Sequence, residues 1–275
     1  MEISGATRLA GVLGFPVTHS LSPALHNAAF AALQINVVSV GLSVSEQDLE
    51  RALGGLVAVG AVGVSVTMPH KGAVVGLAHE CTPTVARLGA ANCLTFVDGR
   101  ILASSTDGQG LLDALAEQAN FAPSGKKVAL IGAGGAAAAI AVALTDAGAD
   151  LAIIARRSEA AQSLAEIAGP LAYKGDATSI AQADLVINAT PLGMSGTATE
   201  GELPVDPALL REGQLVFDTI YAPRETPLLK AARAARAMPI GGLSMLVHQA
   251  RHQLQGWTRQ EISAEVLWAA VAEKS

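Results

Sequence analysis

The sequence predicts an α/β protein in which mostly parallel sheets are covered by helices on both faces. Short runs rich in β-branched residues alternate with segments of helical spacing along the chain. A glycine turn in residues 127–135 follows an apolar strand and opens a long apolar helix. With 275 residues, of which 51% are hydrophobic, the chain is long enough for two domains with full cores.

The first hundred residues predict three strands, two helices and a hairpin. The strands are RLAGVLGF (8–15), INVVSVGLSV (35–44) and AVGVSVT (61–67). The helices are PALHNAAFAAL (23–33) and EQDLERALGGL (46–56), with Ser22 and Ser45 as N-caps. Asp98-Gly99 is typical of a hairpin turn, so NCLTFVDGRILASS (92–105) predicts two antiparallel strands.

A second domain is predicted after a helix at 110–119 and a turn at 122–127. Strands and helices then alternate as in a doubly wound nucleotide-binding domain. They are KVALIGAGG (127–135), AAAAIAVALTDAG (136–148), DLAIIARRS (150–158), EAAQSLAEIAG (159–169), ADLVINATP (183–191) and QLVFDTIYAP (214–223). Two final helices, 243–257 and 264–274, need a further surface to pack against.

Composition excludes several classes of protein. The net charge of −6, with no run of Lys or Arg, argues against nucleic acid or an anionic membrane as partner. The uncharged stretch 128–144 is shorter than the roughly 20 residues of a membrane span and contains three glycines, which favours a strand followed by a buried helix. The start of the chain lacks the pattern of a signal peptide, and Cys81 and Cys93 are expected to be buried in a reducing cytoplasm.

The segment HSLSPALHN (19–27) contains more polar groups than a helix start needs. Ser22 followed by Pro23 is enough to begin a helix, yet Ser20 stands beside it. A helix N-terminus with an added hydroxyl can hold an anion. A capped helix with an incidental serine explains the segment equally well when it is taken alone.

The glycine turn predicts a dinucleotide site. Gly132 permits the tight turn, and Gly134 allows the backbone to approach a pyrophosphate at the helix N-terminus. The next strand ends in Arg156 and Arg157, where an NAD site would place an acidic residue. Two guanidinium groups fit a 2′-phosphate and therefore NADP, although two solvated surface arginines are the alternative.

Two further residues stand where parallel strands end, which is where ligands bind in α/β folds. Lys71 follows SVTMPH, and Asp107 follows SST. An ordinary surface lysine and an ordinary helix cap are the alternatives. His248 and His252 share a helix face, but no third ligand is evident, so no metal site is predicted.

Taken together, these segments resemble the shikimate dehydrogenase family along nearly the whole chain. The stretches that carry the resemblance are GFPVTHSLSPALHN (14–27), GVSVTMPHK (63–71), GAANCL (89–94), STDG (105–108), IGAGGAAAA (131–139), NATPLGM (188–194), DTIYAP (218–223) and GGLSMLVHQA (241–250). The resemblance implies reversible, NADP-dependent reduction of 3-dehydroshikimate to shikimate by a cytoplasmic monomer or homodimer.

The resemblance also implies roles for single residues. Lys71 and Asp107 match the catalytic pair, and six residues match substrate contacts: Ser20, Ser22, Thr67, Asn92, Tyr221 and Gln249. Cofactor contacts are implied for Gly132, Gly134, Gly135, Ala136, Arg156, Arg157, Thr190 and Gly242. The implied domains are a substrate domain, 1–106 completed by the helices of 242–275, and a Rossmann-like NADP domain, 107–241.

The sequence departs from the family pattern at four positions. Ser65 and Ser105 stand where asparagine is usual, and Ala155 and Arg157 replace the outer residues of a common N-R-T motif. Two other functions stay open: a quinate/shikimate dehydrogenase that uses NAD, against which the two arginines argue, and a catalytically silent NADP(H)-binding regulator, against which the presence of both Lys71 and Asp107 argues.

Overall fold

A computed structural model describes residues 3–272. The chain divides into two compact units. The first contains the residues up to Thr106 and those from Val247 onward, and the second contains Asp107–Leu246. The functional assignment of these units as substrate and cofactor domains stays a prediction at this point.

Strands and helices alternate through both units, as predicted. The strands are β1 (Arg8–Gly14), β2 (Val37–Ser43), β3 (Gly63–Val66), β4 (Glu80–Cys81), β5 (Cys93–Val97), β6 (Arg100–Ser104), β7 (Lys127–Ile131), β8 (Asp150–Ile154), β9 (Ala172–Lys174), β10 (Leu185–Asn188), β11 (Leu215–Asp218) and β12 (Met238–Gly241). The helices are α1 (Ser22–Ala32), α2 (Leu49–Ala58), α3 (Pro83–Leu88), α4 (Asp107–Ala119), α5 (Gly135–Asp146), α6 (Ser158–Ala168), α7 (Ala177–Gln182), α8 (Pro227–Ala234), α9 (Leu243–Thr258) and α10 (Ala264–Val271).

The first unit has one six-stranded sheet in the order β2-β1-β3-β5-β6-β4. β1 pairs in parallel with β2 and β3, whereas β5 is antiparallel to both β3 and β6. The predicted hairpin is confirmed: Asp98 (φ 50°) and Gly99 (φ 75°) both adopt the left-handed conformation that a two-residue hairpin turn requires.

The two C-terminal helices complete this first unit. A Cβ on Gly63 would meet the Leu94 carbonyl oxygen at 2.5 Å and collide with the Trp257 indole, so glycine allows α9 to approach the sheet. The Trp257 Nε1–H then donates to the Leu94 oxygen at 3.1 Å. The last predicted helix is confirmed over Ala264–Val271, and its residues 273 and 274 lie outside the described part of the chain.

The second unit has a fully parallel six-stranded sheet in the order β12-β11-β10-β7-β8-β9. This is the strand order of dinucleotide-binding domains, whose crevice lies between the first and fourth strands, here β7 and β10. Residues 128–144 are divided between β7 and the buried α5, as predicted. None of the described helices has the length and apolar content that a membrane crossing requires.

Two local predictions were wrong, and one was confirmed in part. Leu21, not Ser22, is the N-cap of α1. Ser45 is the N-cap of a 3-10 helix, Glu46–Asp48, which leads directly into α2, and Asp48 is the N-cap of α2 itself. Cys81 is exposed because it lies on the short edge strand β4, whereas Cys93 is buried as predicted and burial raises the pKa of its thiol to about 11.

Candidate active site

The first sheet brings several predicted substrate residues to one edge. β1 and β3 are parallel neighbours, so the segments that carry Ser20 and Lys71 both leave from the same edge. β5 is antiparallel to β3 and begins at that edge, directly after Asn92. β6 is antiparallel to β5 and ends there, before Thr106. The topology thus gathers these four residues within the first unit.

The turn between β1 and α1 presents two serine side chains. The Ser20 hydroxyl accepts a hydrogen bond from the Ser22 N–H at 3.2 Å. The Leu21 carbonyl accepts from the Leu25 N–H at 3.3 Å, so the helix starts one residue earlier than predicted. Ser22 is the first helical residue, and its N–H is the one that Ser20 accepts; the N-cap residue Leu21 makes no side-chain cap bond.

Lys71 lies in the loop after β3, and close backbone contacts hold this loop. Gly14 at the end of β1 has no Cβ, and a Cβ there would collide with the Thr67 methyl group. The Lys71 carbonyl accepts from the Ala91 N–H at 2.8 Å. The lysine backbone is therefore fixed against the residue that precedes Asn92.

Asn92, Thr106 and Gln249 form a buried polar cluster. The Asn92 side-chain amide donates to Thr106 Oγ1 at 3.0 Å and to Gln249 Oε1 at 3.2 Å. The Asn92 Oδ1 accepts from the Thr106 N–H at 2.7 Å. Two amides and one hydroxyl can donate and accept, which suits a neutral polar group such as a sugar-like hydroxyl.

Asp107 and Tyr221 belong to the second unit, whereas Lys71 belongs to the first. Asp107 is buried and is the first residue of α4. A Cβ on its neighbour Gly108 would approach the Ala139 carbonyl oxygen to 2.6 Å, so glycine allows α4 to pack closely on α5. This packing fixes the start of α4 and with it the Asp107 backbone. Tyr221 follows β11 and is half-buried.

The glycine turn lies at the end of β7 and the start of α5. Gly132 has a φ of +123°, and a Cβ there would meet the Ala189 carbonyl oxygen at 2.7 Å. Both the backbone conformation and the lack of space therefore exclude a side chain. Gly134 is the N-cap of α5, and a Cβ added there would meet no described atom within 4 Å. Gly135 and Ala136 open the helix. An uncapped helix N-terminus beside open space fits a pyrophosphate.

Thr190 is held next to this turn by a buried pair. The Thr190 N–H and hydroxyl donate to Asn188 Oδ1 at 3.0 and 2.7 Å. The Asn188 amide donates to Asp218 Oδ1 at 3.0 Å, and the Thr226 hydroxyl donates to Asp218 Oδ2 at 2.6 Å. Burial raises the pKa of Asp218, and the hydrogen bonds from Thr226, Ile220 and Asn188 oppose that rise.

Sequence reasoning missed this Asn188–Asp218 pair. Both residues lie in segments that resemble the family, NATPLGM and DTIYAP, but the resemblance implies no role for either. The pair joins the ends of two neighbouring parallel strands 30 residues apart, and such a contact leaves no local spacing signal. A buried acid at the end of a strand was the available clue.

Gly242 and the two arginines follow two other strands of the same sheet, β12 and β8. A Cβ on Gly242 would collide with the Thr219 carbonyl, so glycine is required for the close approach of β11 and the chain after β12. Arg156 and Arg157 follow β8 and are exposed. Their position beyond the second strand of the unit fits the 2′-phosphate of NADP.

No metal-binding cluster of His, Cys, Asp or Glu occurs within residues 3–272.

The parallel sheet, the strand order and the glycine turn define the class of dinucleotide-binding α/β proteins. Residues 12–94 match the family model described as the shikimate dehydrogenase substrate binding domain. Residues 127–217 match the model described as NADP oxidoreductase, coenzyme F420-dependent.

Known relatives match over both units. The shikimate dehydrogenase (NADP(+)) of Citrifermentans bemidjiense is 41% identical over 94% of this chain and 92% of its own length. A crystal structure of a shikimate dehydrogenase in complex with NADP+ superposes with a TM-score of 0.94 at 35% identity, covering 99% of this chain and 97% of the other. That of the Thermus thermophilus enzyme with NADP(H) and shikimate gives 0.89 at 29% identity, covering 97% and 99%. The chain belongs to the shikimate dehydrogenase family.

Proposed function

We propose that this protein catalyses the reversible NADPH-dependent reduction of 3-dehydroshikimate to shikimate. The observation that carries the proposal is the Asn92–Thr106–Gln249 cluster at the sheet edge where the Ser20 and Lys71 segments begin. This edge supplies hydroxyl donors, an ammonium group and amides, which are the groups that a polyhydroxylated carboxylic acid requires. The family's substrate has that composition.

The first unit binds the substrate in this proposal. Ser20 and Ser22 donate hydrogen bonds to the carboxylate at the N-terminus of α1, where the Ser20 oxygen also accepts from the Ser22 N–H. Thr67, Asn92 and Gln249 bind the ring hydroxyls. Tyr221, which belongs to the second unit, matches a family residue near the carboxylate. A neutral amide cluster selects hydroxyls by giving each a donor or an acceptor, and an analogue that lacks a hydroxyl leaves one of these buried groups unpaired.

Lys71 carries the proton transfer in this proposal, and Asp107 orients the substrate. As the substrate carbonyl is reduced, negative charge develops on its oxygen, and the Lys71 ammonium stabilises this charge and donates the proton. The Asp107 carboxylate accepts a hydrogen bond from the substrate hydroxyl and orients it. In the oxidative direction the neutral Lys71 amine takes the proton back.

The second unit holds NADP. Gly132, Gly134, Gly135 and Ala136 form the turn for the pyrophosphate, and Arg156 and Arg157 pair with the 2′-phosphate. Thr190 and Gly242 contact the remainder of the cofactor. When bound, the nicotinamide ring supplies or accepts the hydride.

Steady-state assays with two acids and two cofactors test the proposal. Shikimate-dependent reduction of NADP, followed by absorbance of the reduced nicotinamide, is the expected result. Higher kcat/KM with quinate and NAD would assign the alternative dehydrogenase activity. NADP binding without turnover of either acid would assign a silent regulator and would overturn the proposed activity.

A further inference from the structure

A line of buried hydrogen bonds runs through the first unit to Asn92. The His26 ring lies between two serines, with Nδ1 2.9 Å from Ser39 Oγ and Nε2 3.2 Å from Ser65 Oγ. Ser65 Oγ donates to Gln253 Oε1 at 2.5 Å. Gln253 Nε2–H donates to the Asn92 carbonyl oxygen at 3.0 Å. All five residues are buried.

The direction of each bond follows from the last one. A carbonyl oxygen only accepts, so the Gln253 amide must turn its nitrogen to Asn92 and its oxygen to Ser65. The Ser65 hydroxyl therefore donates its proton to Gln253 Oε1. Because Ser65 Oγ has no second proton, the His26 Nε2–H must donate to it. The His26 Nδ1 then accepts from the Ser39 hydroxyl. The chemistry of the partners thus fixes the tautomer of the ring.

His26 stays neutral within this line. Burial lowers its pKa from 6.5 to about 3, and the nearby Gln253 side chain opposes that shift. The ring packs edge-on against Trp257, with the two ring centroids 4.9 Å apart. A neutral, enclosed ring with both nitrogens hydrogen-bonded serves as a fixed support and not as an acid or base.

The line ends at two predicted substrate residues. Gln253 and Gln249 are four residues apart and lie on the same face of α9. Gln253 binds the backbone of Asn92, while Gln249 accepts from the Asn92 side chain. The bond from Gln253 to Asn92 therefore fixes the distance between α9 and the start of β5. This bond lies one helical turn from Gln249 and the polar cluster.

We propose that Ser65 and Gln253, supported by His26, are positioning residues that fix Asn92 and Gln249 for the ring hydroxyls of the substrate. The inference rests on the proposed function. In this inference Ser65, which replaces the usual asparagine, does not bind substrate. Its hydroxyl forms hydrogen bonds with His26 and Gln253 in the interior of the first unit.

Calorimetric titration of shikimate into the protein tests the inference. Ser65→Ala removes one hydroxyl from a buried line, and we expect the Kd for shikimate to rise about tenfold, as for loss of one buried hydrogen-bond partner. Gln253→Glu keeps the acceptor for Ser65 but loses the donor to Asn92, and it should weaken binding similarly. In turnover, KM for shikimate should rise while kcat changes less than about twofold. The Kd for NADP should stay at the wild-type value in both variants.

Ser39→Ala is the matched control, because it breaks the line on the far side of His26. It should change the shikimate Kd less than about twofold. In the Asn92→Ala background, Ser65→Ala should raise the shikimate Kd by less than about a further twofold, since its effect acts through the Asn92 side chain. The ¹⁵N shifts of His26 should show a protonated Nε2 and an unprotonated Nδ1 in the free protein.

Three outcomes would overturn the inference. They are an unchanged shikimate Kd in both Ser65→Ala and Gln253→Glu, an undiminished effect of Ser65→Ala without the Asn92 side chain, and an equal loss in Ser39→Ala. In each of these cases wild-type protein still binds shikimate, so the proposed function stands. Failure of the wild-type protein to bind shikimate would remove the proposed function and the inference with it.

Discussion

The Asn92 side-chain amide donates to Gln249 Oε1 at 3.2 Å across a sequence separation of 157 residues. The bond joins the start of β5 to α9, whose residues from Val247 onward belong to the first unit although they follow the second unit in the sequence. The polar cluster of the first unit is therefore complete only when α9 packs on the sheet. Its assembly depends on the small Gly63, which admits Trp257 of the same helix.

The two serines before α1 should contribute mainly to substrate affinity. A hydroxyl that donates to a charged group contributes about 1.5–3 kcal/mol, so Ser20→Ala or Ser22→Ala should raise KM for shikimate more than tenfold. The kcat should fall less. Ser45→Ala, at the start of another helical turn of the first unit, should leave KM unchanged. A wild-type KM in both Ser20→Ala and Ser22→Ala would show that residues 19–27 form an ordinary helix start and do not bind the substrate carboxylate.

Gly134→Ala should separate cofactor binding from folding. The φ of Gly134 is −88°, and an added Cβ would meet no described atom within 4 Å, so the free energy of unfolding should stay within about 1 kcal/mol of the wild-type value. The new methyl group would fill the space above the start of α5, so the Kd for NADP should rise about tenfold or more.

The matched control for this variant is Gly54→Ala in α2, where an added Cβ also meets no described atom. It should stabilise the protein by about 0.5–1 kcal/mol without changing NADP affinity. Urea unfolding and fluorescence titration measure the two quantities. Unaltered NADP affinity in Gly134→Ala would argue against a pyrophosphate at this turn.

Arg156 and Arg157 should set the preference for NADP over NAD. We expect wild-type kcat/KM to favour NADP tenfold or more, which corresponds to about 1.4 kcal/mol. Arg156→Ala should lower kcat/KM for NADP and leave the value for NAD nearly unchanged. Arg233→Ala, which removes an exposed partner of Glu225 in the same unit, is the control. Equal wild-type kcat/KM for the two cofactors would contradict the assignment.

Burial of His26 should make stability depend on pH. Its pKa is about 3 in the folded protein and near 6.5 when unfolded, so between these values the unfolded state binds more protons. The stabilisation is complete above pH 6.5 and is lost progressively as the pH falls toward 3, by up to about 1.4 kcal/mol per pH unit. Urea unfolding between pH 7 and 4.5 measures this slope.

His26→Asn should reduce that slope, and His19→Gln, which removes an exposed imidazole, should keep it. The comparison isolates His26 from the carboxyl groups that also titrate in this range. Identical slopes in His26→Asn and wild-type protein would show that the folded imidazole is not held neutral.

The sequence predicted the elements whose signals are local. β7, the glycine turn and α5 are fixed by an apolar run, by Gly132 at positive φ and by a helix-forming alanine series. The Asp98-Gly99 hairpin is equally local. Short elements such as β9 and α7 escaped prediction, because three or six residues show too little periodicity.

The buried polar partners could not be predicted from spacing. His26, Ser65 and Gln253 meet across separations of 39 and 188 residues, and only the packing of α1, β3 and α9 brings them together. Cys81 was wrongly expected to be buried because its exposure depends on the edge position of β4. Such features belong to tertiary structure.

Lys71 is the residue on which the proposed chemistry depends. If its ammonium stabilises charge that develops on the substrate oxygen, Lys71→Ala should lower kcat about 10²–10⁴-fold with a much smaller change in KM. Lys71→Arg should not restore activity, since a guanidinium hardly releases a proton. Asp107→Asn should also be severe, and the double variant little worse than Lys71→Ala.

The most direct measurement is therefore kcat for shikimate-dependent NADP reduction in the wild-type protein and in Lys71→Ala. Circular dichroism and NADP affinity serve as checks that the variant is folded and binds cofactor. We predict robust turnover by the wild-type protein and a loss of at least about 10²-fold in the variant. Wild-type kcat in a folded Lys71→Ala protein would contradict the mechanism.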